Sequence, residues 1–224
     1  MRKNHALFPF GMGILALICF LGGVWMMAMS VQPLWGRTMV LLLPAILLFA
    51  VAAFSQTGVL SRRLTVIITS LLSAVLLMGS FFYVVLLSVW SATTVTTDIQ
   101  YYSSAFSKIA NEEGVDGVFT SEIPEDVEDV VFHYNPQFLQ GGEVFELSYA
   151  TTDENITEWE FKLEQKASWI GSNEEWHRLN SWSFREEDST RYHLYWDGGY
   201  NHGEMSYVLI DPSSNRITFF YTDW

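Results

Sequence analysis

Acidic residues are absent from the first 97 positions of this 224-residue chain, and cysteine occurs once, at Cys19. A single cysteine excludes an internal disulfide framework, so any domain here must stand on its apolar core. No Gly-x-Ser-x-Gly elbow, phosphate-cradling glycine loop, His-x3-His or Cys-x2-Cys spacing is present. The usual linear signs of a serine hydrolase, a nucleotide site or a zinc site are therefore missing. Internal repeats and low-complexity tracts are missing too.

What is present divides in two. Residues 1–97 carry only Arg2, Lys3, Arg37, Arg62 and Arg63, whereas all 25 acidic residues lie from Asp98 onward with seven basic ones, a net charge of −18. The sequence therefore reads as two domains, 1–97 and 98–224, the first suited to lipid and the second to water. Three stretches, 6–36, 38–61 and 64–97, have no Asp, Glu, Lys or Arg. A transmembrane helix needs roughly 20 mainly apolar residues, which predicts spans near Leu7–Met29, Met39–Phe54 and Leu64–Trp90. Pro44 removes a backbone donor within the second and predicts a kink there.

Arg2 and Lys3 before the first span, and Arg62 and Arg63 between the second and third, fall on one side, with Arg37 opposite. Basic residues in short loops favour the cytoplasm. This predicts a multi-pass cell-membrane protein with a cytoplasmic N-terminus and residues 98–224 outside. Trp25, Trp35 and Trp90 fall at the outer ends of the spans, where indole rings favour the interface. A cleaved signal peptide is the competing reading of the first span, with Ala28 and Ser30 as small residues for the cut. The acidic domain stays outside in either case. Ile18 before Cys19 does not fit a lipoprotein attachment site.

No Asp, Glu, Lys, Arg or His lies inside a predicted span, which argues against a pump or an intramembrane protease. Thr65, Thr69, Ser73 and Ser80 share one face of the third span. Small hydroxyl residues allow close helix approach in lipid, so packing against the other spans is favoured over a ligand groove. The same face is also suited to meeting a separate membrane protein.

In the acidic half, Ile99, Tyr102, Phe106 and Ile109 recur at helical spacing, with Thr97 or Asp98 as cap and Gly114 as stop. Alternation follows at Val130, Phe132 and Tyr134, and again at Phe145, Leu147 and Tyr149 after Gly141–Gly142. Residues 153–170 change period, with Ile156, Trp159, Leu163, Ala167 and Ile170 on one helical face between Asp153 and Gly171. A short helical or irregular piece surrounds Trp176 and Leu179. Three more strands follow, centred on Leu194, Tyr207 and Phe219, with turns at Gly198–Gly199 and Asp211–Pro212. The order β-β-α-β-β-β predicts an α+β domain: a soluble antiparallel sheet with one packed helix. Its 24 aromatic residues supply the core area that disulfides do not.

The turn from Asp197 to Glu204 is the most chemical segment. Asp197, Asn201, His202 and Glu204 are candidate metal ligands, with oxygen atoms at spaced turn positions and His193 nearby. The segment lacks the ligand pattern of an EF-hand, and a solvated hairpin turn is the favoured account. Trp169, Trp176 and Trp182 are the candidates for an exposed aromatic interaction surface, although burial is the ordinary fate of such residues. Carboxylate pairs for glycoside hydrolysis are spatial and cannot be picked from a linear sequence. The sequon at Asn155 is read as coincidence. No cofactor is called for. The negative charge disfavours nucleic acid and suits a cation or a basic partner.

The run Phe119-Thr-Ser-Glu-Ile-Pro124, with Val131-Phe-His-Tyr-Asn-Pro136 and Phe138-Leu-Gln-Gly-Gly142, resembles a domain of Gram-positive bacterial membrane proteins. The resemblance covers residues 119–142. It implies a bacterial surface setting and a strand–turn–strand opening to the domain, no activity, and no role for any residue. Together these readings lead to a membrane-anchored extracytoplasmic binding module for envelope sensing. The alternatives are a membrane-tethered cell-envelope hydrolase and an accessory subunit of a transporter or sensor kinase.

Overall fold

The computed structural model describes residues 4–137, 142–179, 190–197 and 203–223. It divides into two compact units, one ending at Ala92 and one beginning at Thr93. The coarse class is α+β: three apolar helices, then a six-stranded antiparallel sheet with helices packed on it.

The first unit contains α1 (Leu7–Ala28), α2 (Trp35–Gln56) and α3 (Arg62–Thr93), each long and apolar enough to cross a membrane. The second helix starts earlier than its apolar core suggests. Met39–Leu42 is wound as a 3-10 turn, and Pro44 falls in the first turn of the α-helical part that follows. A proline there forfeits a hydrogen bond that the first turn of a helix lacks anyway. The helix changes winding at Pro44 and is not broken in mid-course.

Packing in this unit departs from the pattern of a water-soluble protein: beside a core of Met27, Leu41, Leu48 and Leu87, hydroxyls are buried and large apolar side chains cover the outside. Ala16, Ala45, Ser55, Thr65, Thr69, Ser73 and Ser80 are buried, while Leu7, Ile18, Leu21, Leu71, Phe81 and Phe82 are exposed. The hydroxyl stripe of α3 thus faces its neighbours, as its spacing predicts. Thr65 Oγ1 donates to Ser55 Oγ at 3.1 Å, joining α3 to α2. At the other end Ser30 and Ser91 share a hydrogen bond, Tyr83 Oη donates to the Arg37 carbonyl at 3.0 Å, and the Arg37 guanidinium lies 4.5 Å from the Trp90 ring centre.

Glycine sets how closely α1 and α2 approach. A Cβ at Gly13 would stand 2.8 Å from Cε1 of Phe49, a rigid ring that cannot step aside as a chain end would. Gly13→Leu is expected to destabilise this unit by about 1–3 kcal/mol through overpacking. Thermal melting of the detergent-solubilised protein checks this, with Gly11→Leu, where the space is open, as the control.

The second unit begins with an Asp98 cap whose carboxylate accepts from Gln100 N at 3.1 Å, followed by α4 (Tyr102–Ile109). Gly114 and Gly117, at φ +77° and +65°, turn the chain and bring Val115, Val118 and Phe119 into the core. The strands are β1 (Glu128–Asn135), β2 (Glu143–Ala150), β3 (Trp169–Gly171), β4 (Arg191–Asp197), β5 (Glu204–Asp211) and β6 (Arg216–Asp223). Their order is β1-β2-β6-β5-β4-β3, with every neighbouring pair antiparallel. Helix α5 (Asp153–Glu164) joins β2 to β3, and α6 (Asn173–Leu179) follows β3.

Each face of the sheet is covered in a different place. On one, Phe132, Phe145 and Phe219 meet Tyr102 of α4, Phe119 and Trp159 of α5. On the other, Tyr192, Leu194, Met205, Tyr207 and Leu209 close over Trp176 of α6. The helical reading of 153–170 runs too far. The helix ends at Glu164, and Ile170 belongs to β3, paired with His193. A helical and an alternating pattern coincide over such a short edge strand, and pairing with β4 decides. A bulge between Leu194 and Trp196 likewise shifts the register that simple alternation of Tyr192, Leu194 and Trp196 suggests.

Candidate functional site

Antiparallel register assembles an acidic row at one end of the sheet. Glu143 of β2 pairs with Asp223 of β6, and Asp223 also pairs with Glu204 of β5. Directly opposed residues on one face bring their Cβ atoms within about 5 Å, so the three carboxylates stand side by side on the face that carries α4 and α5. The turn after α4 adds Glu112, whose field reaches Glu143, Glu204 and Tyr221.

Two tyrosines rise beneath the row. Tyr134 Oη donates to Glu143 Oε1 at 2.5 Å, and Thr96 pairs with Tyr134 through two 2.9 Å backbone hydrogen bonds. That bridge ties the segment following α3 to the edge strand that supports Glu143. Tyr221 lies one same-face step inward from Asp223, opposite Ser206. Ser206 is fully buried, and its Oγ has no hydrogen-bond partner among the described residues.

Burial raises the Glu143 carboxyl, and the charges of Glu112 and Asp223 raise it further; the Tyr134 hydrogen bond and Lys108 pull the other way. Glu204 is raised by burial and then by Glu112, Asp223 and Glu113. Tyr134 and Tyr221 are held far above the usual tyrosine range, chiefly by burial and then by these carboxylates, so both remain hydroxyls at neutral pH. The row offers negative oxygen acceptors and neutral hydroxyls. Such a set suits a donor-rich cation.

Of the sequence candidates, Glu204 belongs to this row. Asp197 sits at the end of β4 opposite Met205, and Asn201 and His202 lie outside the described residues. Among the described residues, no three His, Cys, Asp or Glu side chains converge closely enough to hold a metal ion. Trp176 is 6% exposed, its ring set edge-to-face 5.0 Å from half-buried Trp169, so it packs the core and presents no open ring. Trp182 lies outside the described residues. His193 is fully enclosed on the helix-covered face, out of reach of a dissolved substrate.

Sequence reasoning missed Glu143, Asp223, Glu112, Tyr134 and Tyr221. Glu143 and Asp223 are 80 positions apart, and each reads as an ordinary polar end to an alternating strand. Only the position of β6 between β2 and β5 joins them. No protein-family model matches the chain, and neither a curated protein nor a solved structure matches it.

Proposed function

We propose that this protein is a membrane-anchored binding module: α1, α2 and α3 cross the cell membrane, the N-terminus is cytoplasmic, and residues 98–224 act outside. The observation that carries this is the apolar surface of the helical unit. Small and hydroxyl residues share its interior with Met27, Leu41, Leu48 and Leu87, while many leucine, isoleucine and phenylalanine side chains cover its surface. In water that arrangement would expose a very large apolar area, and in lipid it is the ordinary one. The absence of acids before Asp98 and the four basic residues on the inner side support the orientation.

Binding is the reading supported by the gathering of like-charged carboxylates at one end of the sheet. The module reads its partner through charge, in keeping with the net −18 of residues 98–224.

The orientation is tested by single cysteines on a Cys19→Ser background. Glu158→Cys and Ser214→Cys are expected to react with a membrane-impermeant maleimide in intact cells, and Gln56→Cys only after lysis. The reverse pattern would place the acidic domain in the cytoplasm and overturn the reading.

A further inference from the structure

We infer that the groove between α2 and α3 holds an acyl chain of an anionic glycerophospholipid, with the phosphate of that lipid at Arg37. This rests on the reading that α1, α2 and α3 cross the membrane, and adds a ligand drawn from the bilayer.

A cavity of about 330 Å³ opens between the two helices, lined by Val40, Leu43 and Pro44 of α2 and by Val75, Gly79 and Tyr83 of α3. It exists because α3 supplies no side chain to fill it. Gly79 has none, and a Cβ placed there meets no atom within 4 Å. Ser80, also in the lining, turns its hydroxyl back to the Leu76 carbonyl at 2.8 Å. Tyr83 Oη is taken up by the Arg37 carbonyl at 3.0 Å. Both polar side chains of the lining are thus already paired, and the rest is apolar wall. Such a groove gives a polar ligand nothing to bond, whereas a hydrocarbon chain needs only van der Waals contact.

One end of the groove carries a charge. The Arg37 side chain is exposed, and its guanidinium lies 4.5 Å from the Trp90 ring centre. Seven-residue steps keep Leu76, Tyr83 and Trp90 on one stripe of α3, so groove and cation share a face. Val75 to Tyr83 covers about 12 Å of helix, and Tyr83 to Trp90 about 10 Å more. A lipid at the interface has that same order, with its phosphate at the level of the indole and its chain below. No acid occurs before Asp98, so no carboxylate of this unit neutralises Arg37. A guanidinium takes phosphate through paired, charge-assisted hydrogen bonds. The missing acids also leave an ammonium headgroup without a partner in this unit, which favours a lipid whose net charge is negative.

The test uses the full chain in non-ionic detergent with phosphatidylglycerol as the probe, and reads retained lipid as a mass adduct by native mass spectrometry. The wild type is expected to retain this lipid, and to retain diacylglycerol with the same chains about fivefold less. Arg37→Gln is expected to weaken phosphatidylglycerol binding about fivefold. Arg63→Gln removes the same charge from the opposite end of α3 and is expected to weaken it less than about twofold. Gly79→Leu fills the groove from a position with room for the side chain, and a loss of about fivefold or more is expected. Gly22→Leu on α1 is equally open and is expected to leave binding unaltered. Gly79→Leu keeps every charge, so it carries the test should Arg37→Gln fail to fold. Equal losses in Arg37→Gln and Arg63→Gln would reduce the effect to net charge and overturn the inference. So would unaltered binding by Gly79→Leu, equal retention of diacylglycerol, or no lipid adduct on the wild type. A lipid-free dimer that Gly79→Leu dissociates would assign the groove to a second copy of the chain and overturn it too. Loss of lipid retention in a chain that still requires detergent strikes the lipid site and leaves the membrane anchor. A reversed maleimide pattern with the lipid retained strikes the orientation and leaves the site.

Discussion

Replacing Phe145 with alanine is expected to cost the acidic domain about 3–5 kcal/mol, the range for removing a fully buried aromatic ring. Phe145 is completely enclosed and lies at the centre of an aromatic cluster. Its ring centre is 5.7 Å from Tyr102, 6.3 Å from Phe106, 6.2 Å from Phe119, 5.7 Å from Phe132 and 6.5 Å from Tyr134. These partners come from α4, the turn after it and β1, so one ring joins three pieces of chain. No disulfide shares the load. Domains of this size hold about 5–15 kcal/mol in all, so the loss is a large share of the total. The melting temperature is expected to fall by roughly 10–20 °C. Phe161→Ala supplies the contrast: that ring is 68% exposed on α5, and its removal is expected to change stability by no more than about 0.5 kcal/mol. A fall of only a few degrees for Phe145→Ala would mean that the cluster is not the core.

The second large effect is in the response to acid. His193 is fully enclosed, and neither ring nitrogen makes a hydrogen bond of good geometry. Burial pushes its pKa down from 6.5 to about 4, and Arg191 adds to the effect; Glu164 of α5 and the backbone of Val208 pull weakly the other way. The Val208 backbone therefore approaches the ring without fully pairing it. In the unfolded chain His193 takes up a proton near pH 6.5, while in the folded chain it resists until about pH 4. Protons then favour the unfolded state, so this contribution is intact above pH 6.5 and is lost as pH falls toward 4. Between pH 7 and pH 4 the loss amounts to about 3 kcal/mol. Denaturant melts of the wild type and of His193→Leu, at both pH values, measure the difference. The variant is expected to lose about 3 kcal/mol less than the wild type over that interval. Parallel pH curves for the two proteins would show that the imidazole is hydrated or paired.

The coarse plan was legible in the residues because two of its signals are one-dimensional. Long charge-free runs mark helices by themselves, and the observed α1, α2 and α3 contain most of the predicted spans. Strand alternation at Phe132 and Tyr134, Phe145 and Leu147, and Tyr207 and Leu209 marked β1, β2 and β5 for the same reason. Errors arose where two periodicities overlap. Ile170 fits a helical face and an edge strand equally well, and only Leu194 and His193 across the ladder tell them apart. Trp176 was read as a candidate exposed ring because its own segment has too little pattern to show which way it faces. The cluster over β4 and β5 that encloses it is contributed from 16 to 33 positions downstream.

The acidic row was hidden for a deeper reason. Glu204 attracted notice because it ends a turn rich in polar atoms. Glu143 and Asp223 stand at strand ends where charge is unremarkable, and Tyr221 is indistinguishable in sequence from a core tyrosine. Strand order and register place these residues together, and neither is visible in local composition. Antiparallel neighbours were foreseeable. The insertion of the last strand between β2 and β5 was not.

Membrane extraction bears most directly on the central claim that the apolar helices live in lipid and hold the acidic domain there. Membranes containing the full chain are washed with alkaline carbonate and then treated with a mild detergent, and each fraction is assayed for the protein. The account requires that the carbonate wash leave the chain in the pellet and that detergent release it. Recovery in the carbonate supernatant as a monodisperse protein would contradict the account.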